Sequence, residues 1–206
     1  MTDAHTHNEK LAIPGIINIE YTDACPKFDS HTLANPDCHF SLGVHPWKSD
    51  KDIDRAGFEK TAVMADAIGE CGLDKCKPIS LDVQMDVFRW QIGVAERLEK
   101  PVIVHCVRAY GLLMDCLREH KDLHWLIHGC NASPEWIREA SKYHVWFSVG
   151  PMQLQNQYTK GTLSSIPGDR LLLETDASAI EITEVYSMAR IGADNLDDNF
   201  KCFMNV

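Results

Sequence analysis

Near the N-terminus, the word DAHTH puts His5 and His7 two positions apart. On a strand, residues i and i+2 face the same side, so the two imidazoles can grip one metal ion. An HxH pair is weak evidence alone, because such pairs also occur in loops. Four further ligand-type residues follow: Glu70 in IGECGLD, His105 in VIVHC, His128 in WLIHG and Asp176 in LLLETDAS. Each closes a short apolar run and opens a turn. Taken singly, His105 or His128 reads as a hydrogen-bonded strand-end histidine, Glu70 as a turn cap and Asp176 as a helix N-cap. Six such residues in equivalent places point instead to one metal centre. Four imidazoles and two carboxylates are enough for two divalent ions if one carboxylate bridges, and Glu70, mid-constellation, is the expected bridge. Two ions about 3.5–4 Å apart activate water and stabilise the leaving oxygen of a phosphodiester.

Four residues beside this set are candidate substrate contacts. His45 in LGVHPW follows the third apolar run and is expected to touch phosphate or support a ligand. Trp47 offers a ring on which a base can stack. Asp74, close after Glu70, is placed to orient a ligand imidazole. Arg108, three residues after His105, is a partner for a phosphate oxygen. His31, His39, His120, His124 and His144 have no spacing that recommends them.

Positioning such residues requires several strand ends to meet. Candidate strands are residues 2–5, 15–20, 39–44, 66–70, 101–105, 124–128, 145–150 and 170–175. Helical patterns separate the later ones: 81–100, with Val83, Val87, Trp90, Ile92, Val94 and Leu98 largely on one face, then 109–119, 134–143 and 180–191. Ser133–Pro134 reads as an N-cap and first-turn proline. The tail is expected to form a short helix with Leu196, Phe200 and Phe203 facing the core. The alternation implies a mostly parallel sheet, doubly wound or closed as a barrel. In a barrel the strand C-termini share one rim, which brings distant residues together. Only seven residues separate HTH from GIINIE, too few for a normal crossover helix. The segment 21–38 also lacks a helical period, so the first third of any barrel must be abbreviated.

A chain of 206 residues, 45% of them hydrophobic, supports one domain over 1–206. No apolar run is long enough for a membrane span, and no secretory signal is evident. Eight cysteines without a CxxC pair are expected to be reduced thiols of a cytoplasmic protein. A net charge of −10 argues against a broad basic surface for duplex DNA. It leaves room for small or single-stranded phosphate substrates, with metal cations supplying local positive charge. No protein partner is read from the sequence.

In this order, DAHTH, LGVHPW, AIGECGLD, PVIVHC, LIHG and LLLETDAS resemble the TatD-like metal-dependent hydrolases, often described as deoxyribonucleases. The resemblance implies a TIM-type α/β barrel of the amidohydrolase kind and a one- or two-metal site, with Mg²⁺, Zn²⁺ or Mn²⁺ as candidates. It implies His5, His7, Glu70 and Asp176 around one ion, and Glu70, His105 and His128 around the other. Asp176 would also orient or deprotonate the attacking water. The implied activity is hydrolysis of DNA phosphodiesters, commonly from the 3′ end. This chain departs from the pattern in its short first third, in the trimmed loop DASAIEI, in GCNAS after His128 and in an arginine displaced by one as HCVRA. Two other readings compete: an amidohydrolase or lactonase acting on a small molecule, and a relative that binds metal or ligand without turnover.

Overall fold

The computed structural model describes residues 1–8, 11, 13–22, 38–156, 160–190 and 192–204. Eight parallel strands run β1 Asp3–Thr6, β2 Gly15–Glu20, β3 Cys38–Gly43, β4 Ala67–Asp74, β5 Val102–Val107, β6 Trp125–Ile127, β7 Val145–Val149 and β8 Leu171–Leu173. Their spatial order equals their chain order. β1 and β8 then meet at their C-terminal ends. The Asp176 amide donates to the His5 carbonyl at 2.9 Å, and the His7 amide donates to the Asp176 carbonyl at 3.1 Å. The sheet is thus rolled into a TIM-type barrel, with its seam beside the HxH pair.

The helices after β3 are α1 Arg55–Ala62, α2 Leu81–Leu98, α3 Tyr110–Glu119, α4 Pro134–Ala140, α5 Pro151–Gln155, α6 Lys160–Leu163, α7 Ile182–Ala189 and α8 Ala193–Met204. Among the described residues none lies between β1 and β3, in keeping with the abbreviated first third. The stretch 23–37, most of the segment without helical period, lies outside the described residues. Local chemistry sets the starts. Ser133 Oγ accepts the Trp136 amide at 3.3 Å ahead of Pro134, and Ser80 Oγ accepts the Val83 amide at the head of α2. α1 was not expected from the sequence, where Phe58 is its single large apolar residue and is fully buried.

The face of α2 needs correction. Val83 is 40% exposed, and the buried stripe instead includes Gln84 and Gln91. Gln84 Oε1 accepts the Asp74 amide at 2.7 Å, and its Nε2 donates to the carbonyls of Asp74 and Ile79. These amides are buried because they satisfy loop backbone at the barrel's upper end.

The barrel interior is layered. Its lower half is an apolar cluster of Ala4, Ile16, Ala67, Ile103, Leu126, Trp146 and Leu172, closed from beneath by Phe200, Phe203 and Met204 of α8. Leu196, Phe200 and Phe203 are all buried, as the tail pattern predicts. Two residues further along the strands, on the same faces, come Asn18, His105, Ser148 and Glu174, with His128 just beyond β6. The interior therefore changes from hydrocarbon to polar within one pleat.

Candidate metal centre

Glu70 and His105 do not follow their strands, as the sequence pattern suggests, but lie within β4 and β5. They project into the barrel rather than from its rim. β4 runs close to both neighbours at this point. A Cβ on Gly43 would sit 2.5 Å from the Glu70 carbonyl, and one on Gly72 would sit 2.1 Å from the His105 carbonyl. Glycine is what lets three strands crowd around Glu70. Asn18 Oδ1 accepts the Glu70 amide at 2.7 Å and the Ser41 hydroxyl at 3.1 Å, which fixes the backbone.

Five imidazoles surround the Glu70 carboxylate. Its Oε1 lies 2.8 Å from His128 Nε2, 2.9 Å from His105 Nδ1 and 3.1 Å from His45 Nε2. Its Oε2 lies 3.4 Å from both His5 Nε2 and His7 Nε2. Asp176 Oδ1 stands 3.5 Å from His7 Nε2 and 3.8 Å from His5 Nε2. His5 is fully buried, whereas His7 and Asp176 are 42% and 38% exposed at the mouth. Asp176 takes positive φ, as does Arg108, both beyond or at a strand's C-terminal end.

Among the described residues, three groups of ligand atoms come close enough to share an ion: His5, Glu70 and His128; His5, His7 and Asp176; and His45, Glu70 and His105. The resemblance instead pairs His105 with His128 on Glu70, and these two ring nitrogens are 3.3 Å apart. The donor set fits divalent cations. Both nitrogens of His5 are buried without a hydrogen-bond partner, an expensive arrangement unless a cation is held here. Imidazoles with carboxylates suit Zn²⁺ or Mn²⁺, and the carboxylates also admit Mg²⁺.

The local field is strong. Burial alone would raise the Glu70 carboxyl, but charge on His128 and hydrogen bonds from His105, His128 and His45 outweigh it and hold it well below its ordinary value. Burial disfavours charge on His128, yet Glu70 and Glu174 together push it well above the usual histidine value. His7 is raised as well, chiefly by its hydrogen bond to Glu70.

Asp74 Oδ2 lies 3.5 Å from His105 Nε2 and accepts the Trp47 indole N–H at 2.7 Å. Trp47 is thus tied down at its nitrogen, and Lys77 Nζ sits 3.6 Å from its ring centre. One face of that ring is covered, which narrows its use as a base platform. Arg108 is exposed and lines a second hollow, of about 520 Å³, with Tyr110, Asn131 and Met152. The first hollow, about 320 Å³, is lined by His7, Asn18, His45, Trp47 and Glu70. Both share His105, His128 and Asp176, so the cleft passes across the carboxylate cluster.

Glu174 joins the site from outside the sequence-based candidates. It is 1% exposed, accepts the Gly129 amide at 2.7 Å and the Ser148 hydroxyl, and faces His128 Nδ1 at 3.6 Å. The signal was present: Glu174 is two residues after buried Leu172 and so continues the inward face of β8. Asn18 and Gln91 were missed too, because their partners are backbone groups distant in sequence.

An eight-stranded α/β barrel with a histidine–carboxylate cluster inside its C-terminal end is the architecture of a metal-dependent hydrolase. The family model for TatD-related DNases matches residues 19–188, and the chain belongs to that family. It is 36% identical over 115 residues to the uncharacterized metal-dependent hydrolase YabD of Bacillus subtilis, covering 53% of this chain and 45% of that one. It is 27% identical over 161 residues to the 3′-5′ ssDNA/RNA exonuclease TatD of Edwardsiella piscicida, covering 70% and 60%. The chain thus spans about half to three fifths of the length of these relatives. Among solved structures, the TatD homologue YjjV from Escherichia coli superposes with a TM-score of 0.82 at 19% identity, over 100% of this chain and 98% of that one.

Proposed function

We propose that the protein hydrolyses phosphodiester bonds in DNA, at ends or in short single strands, with divalent cations held by His5, His7, Glu70, His105, His128 and Asp176. The observation that carries this reading is the convergence of the His5, His7, His105 and His128 imidazoles on the two oxygens of one buried carboxylate, with Asp176 at the open mouth. Bound cations would polarise a phosphoryl oxygen and lower the pKa of a water. Glu70, buried and held ionised, would be the carboxylate that helps hold them. Asp176 is the acid that both reaches the cluster and meets solvent, so it orients the attacking water and takes its proton. The exposed Arg108 faces the second hollow, where it pairs with a phosphate oxygen of the same strand. The Edwardsiella relative is named as an exonuclease of single-stranded DNA and RNA, which agrees with a chain of net charge −10 that disfavours long duplex.

The test is shortening of an end-labelled single-stranded oligonucleotide with added Mg²⁺, Mn²⁺ or Zn²⁺. Glu70→Gln and Asp176→Asn should each lower the rate by at least about 10²-fold. Full activity in either variant overturns the assignment. Turnover of lactones but not of nitrophenyl phosphodiesters would move the protein to carbonyl chemistry.

A further inference from the structure

Three imidazoles meet the same oxygen, Glu70 Oε1, and what stands behind each ring differs. Behind His105 is a carboxylate: Nδ1 faces Glu70, while Nε2 faces Asp74 Oδ2 at 3.5 Å. Behind His128 is another: Nε2 faces Glu70, while Nδ1 faces Glu174 Oε1 at 3.6 Å. Behind His45 is a donor. Its Nδ1 accepts the Trp47 amide at 3.2 Å, because His45 N-caps the 3₁₀ turn Pro46–Lys48.

A neutral imidazole carries one N–H and one lone pair. A carboxylate behind a ring draws the proton to that side and frees the opposite lone pair for a cation. An N–H behind a ring occupies the rear lone pair, so the proton must sit on the front nitrogen. His45 Nε2, 3.1 Å from Glu70 Oε1, is then an N–H donor. Although its position allows it to join Glu70 and His105 around an ion, its lone pair is already used by the turn it caps.

We propose that His45 is a hydrogen-bond donor to the substrate's phosphoryl oxygen and not a metal ligand, and that Glu174 is the positioning residue that makes His128 a ligand through Nε2. Asp74 does the same for His105 through Nδ1, so the two ligand histidines present opposite ring nitrogens. The inference rests on the metal-hydrolase reading of this site. The geometry supports it further: His45 lines the first hollow beside Glu70 and Trp47, where a bound phosphoryl group would lie.

The experiment titrates metal-free protein with Mn²⁺ by calorimetry and reads imidazole ¹⁵N shifts in matching samples loaded with diamagnetic Zn²⁺. His45→Asn keeps an acceptor for the Trp47 amide, since asparagine is a good N-cap, and so protects the turn. Its Mn²⁺ affinity should stay within about 2-fold of wild type while kcat on an oligonucleotide falls about 10–100-fold. Glu174→Gln keeps an oxygen for the Gly129 amide and should weaken Mn²⁺ binding about 10–100-fold. In Ser148→Ala, which leaves the carboxylate in place, binding should change far less. The ¹⁵N shifts should place the proton of His45 on Nε2 and that of His128 on Nδ1. Loss of Mn²⁺ affinity in His45→Asn comparable to that in His128→Ala overturns the proposal, as does wild-type affinity in Glu174→Gln. Wild-type protein that binds Mn²⁺ with these tautomers but cleaves no phosphodiester sinks the functional reading instead, leaving the ligand assignment standing.

Discussion

Gln91 holds both backbone groups of Val44: its Oε1 accepts the Val44 amide at 2.7 Å and its Nε2 donates to the Val44 carbonyl at 3.1 Å. A helix residue thus fixes the chain one position before His45. Replacing Gln91 with Leu keeps volume but strands a buried N–H and C=O. Each orphaned group costs about 1–3 kcal/mol, so the urea midpoint should fall by an amount equivalent to roughly 2–4 kcal/mol. Because His45 follows directly, oligonucleotide turnover should also fall. A variant with unchanged midpoint would show that the loop finds other partners.

Phe203 closes the bottom of the barrel and is fully buried against the lower interior. Phe203→Ala should cost about 3–5 kcal/mol, read as a drop in thermal midpoint of roughly 6–20 °C for a chain of this size. Metal affinity per folded molecule should be unaffected, since the polar layer lies one pleat above. Binding lost in parallel with stability would argue that the two layers are not separable.

Arg108 has φ 55° at the exit of β5. That conformation costs a non-glycine residue about 1–2 kcal/mol. Arg108→Gly should therefore leave stability unchanged or raise it by roughly 1 kcal/mol, even after glycine's larger unfolded entropy. The KM for an oligonucleotide should rise, since a phosphate partner is gone. Falling stability with unchanged KM would reassign Arg108 to structure.

Asp66 offers a pH test away from the metal centre. Burial alone would raise its carboxyl, but His39 and the Phe40 amide, which donates at 2.9 Å, hold it below its ordinary value of 3.8. A carboxyl depressed in the folded state stabilises fully above its unfolded value, and that contribution is lost as pH falls through the folded one. The stability gap between wild type and Asp66→Asn should thus persist at pH 5 and close as pH falls below about 3.8. Urea midpoints at pH 7, 5 and 3 measure it, and a gap independent of pH would show that the charge contributes nothing.

The strands were legible because their apolar runs are short and bounded by turns. Each of the eight candidate runs overlaps an observed strand, though Glu70 and His105 proved internal rather than terminal. What periodicity concealed was polar burial. Gln84 and Gln91 look like solvent-facing helix residues until the loops they serve are in place, and Val83, apolar, is left outside. Glu174 was hidden by its neighbour Asp176, which drew attention to the strand end. His45 lies two positions beyond the end of β3. Its relation to Trp47 depends on a three-residue turn that carries no hydrophobic pattern.

The seam between β1 and β8 has a consequence for how the molecule can be taken apart. Backbone pairing of His5 and His7 with Asp176 joins segments some 170 positions apart in the chain. Any cut in an intervening exposed loop, such as at Lys121–Asp122 between α3 and β6, leaves these partners on different polypeptides. Metal uptake by two separately expressed fragments would then report their reassembly, making the barrel its own complementation sensor.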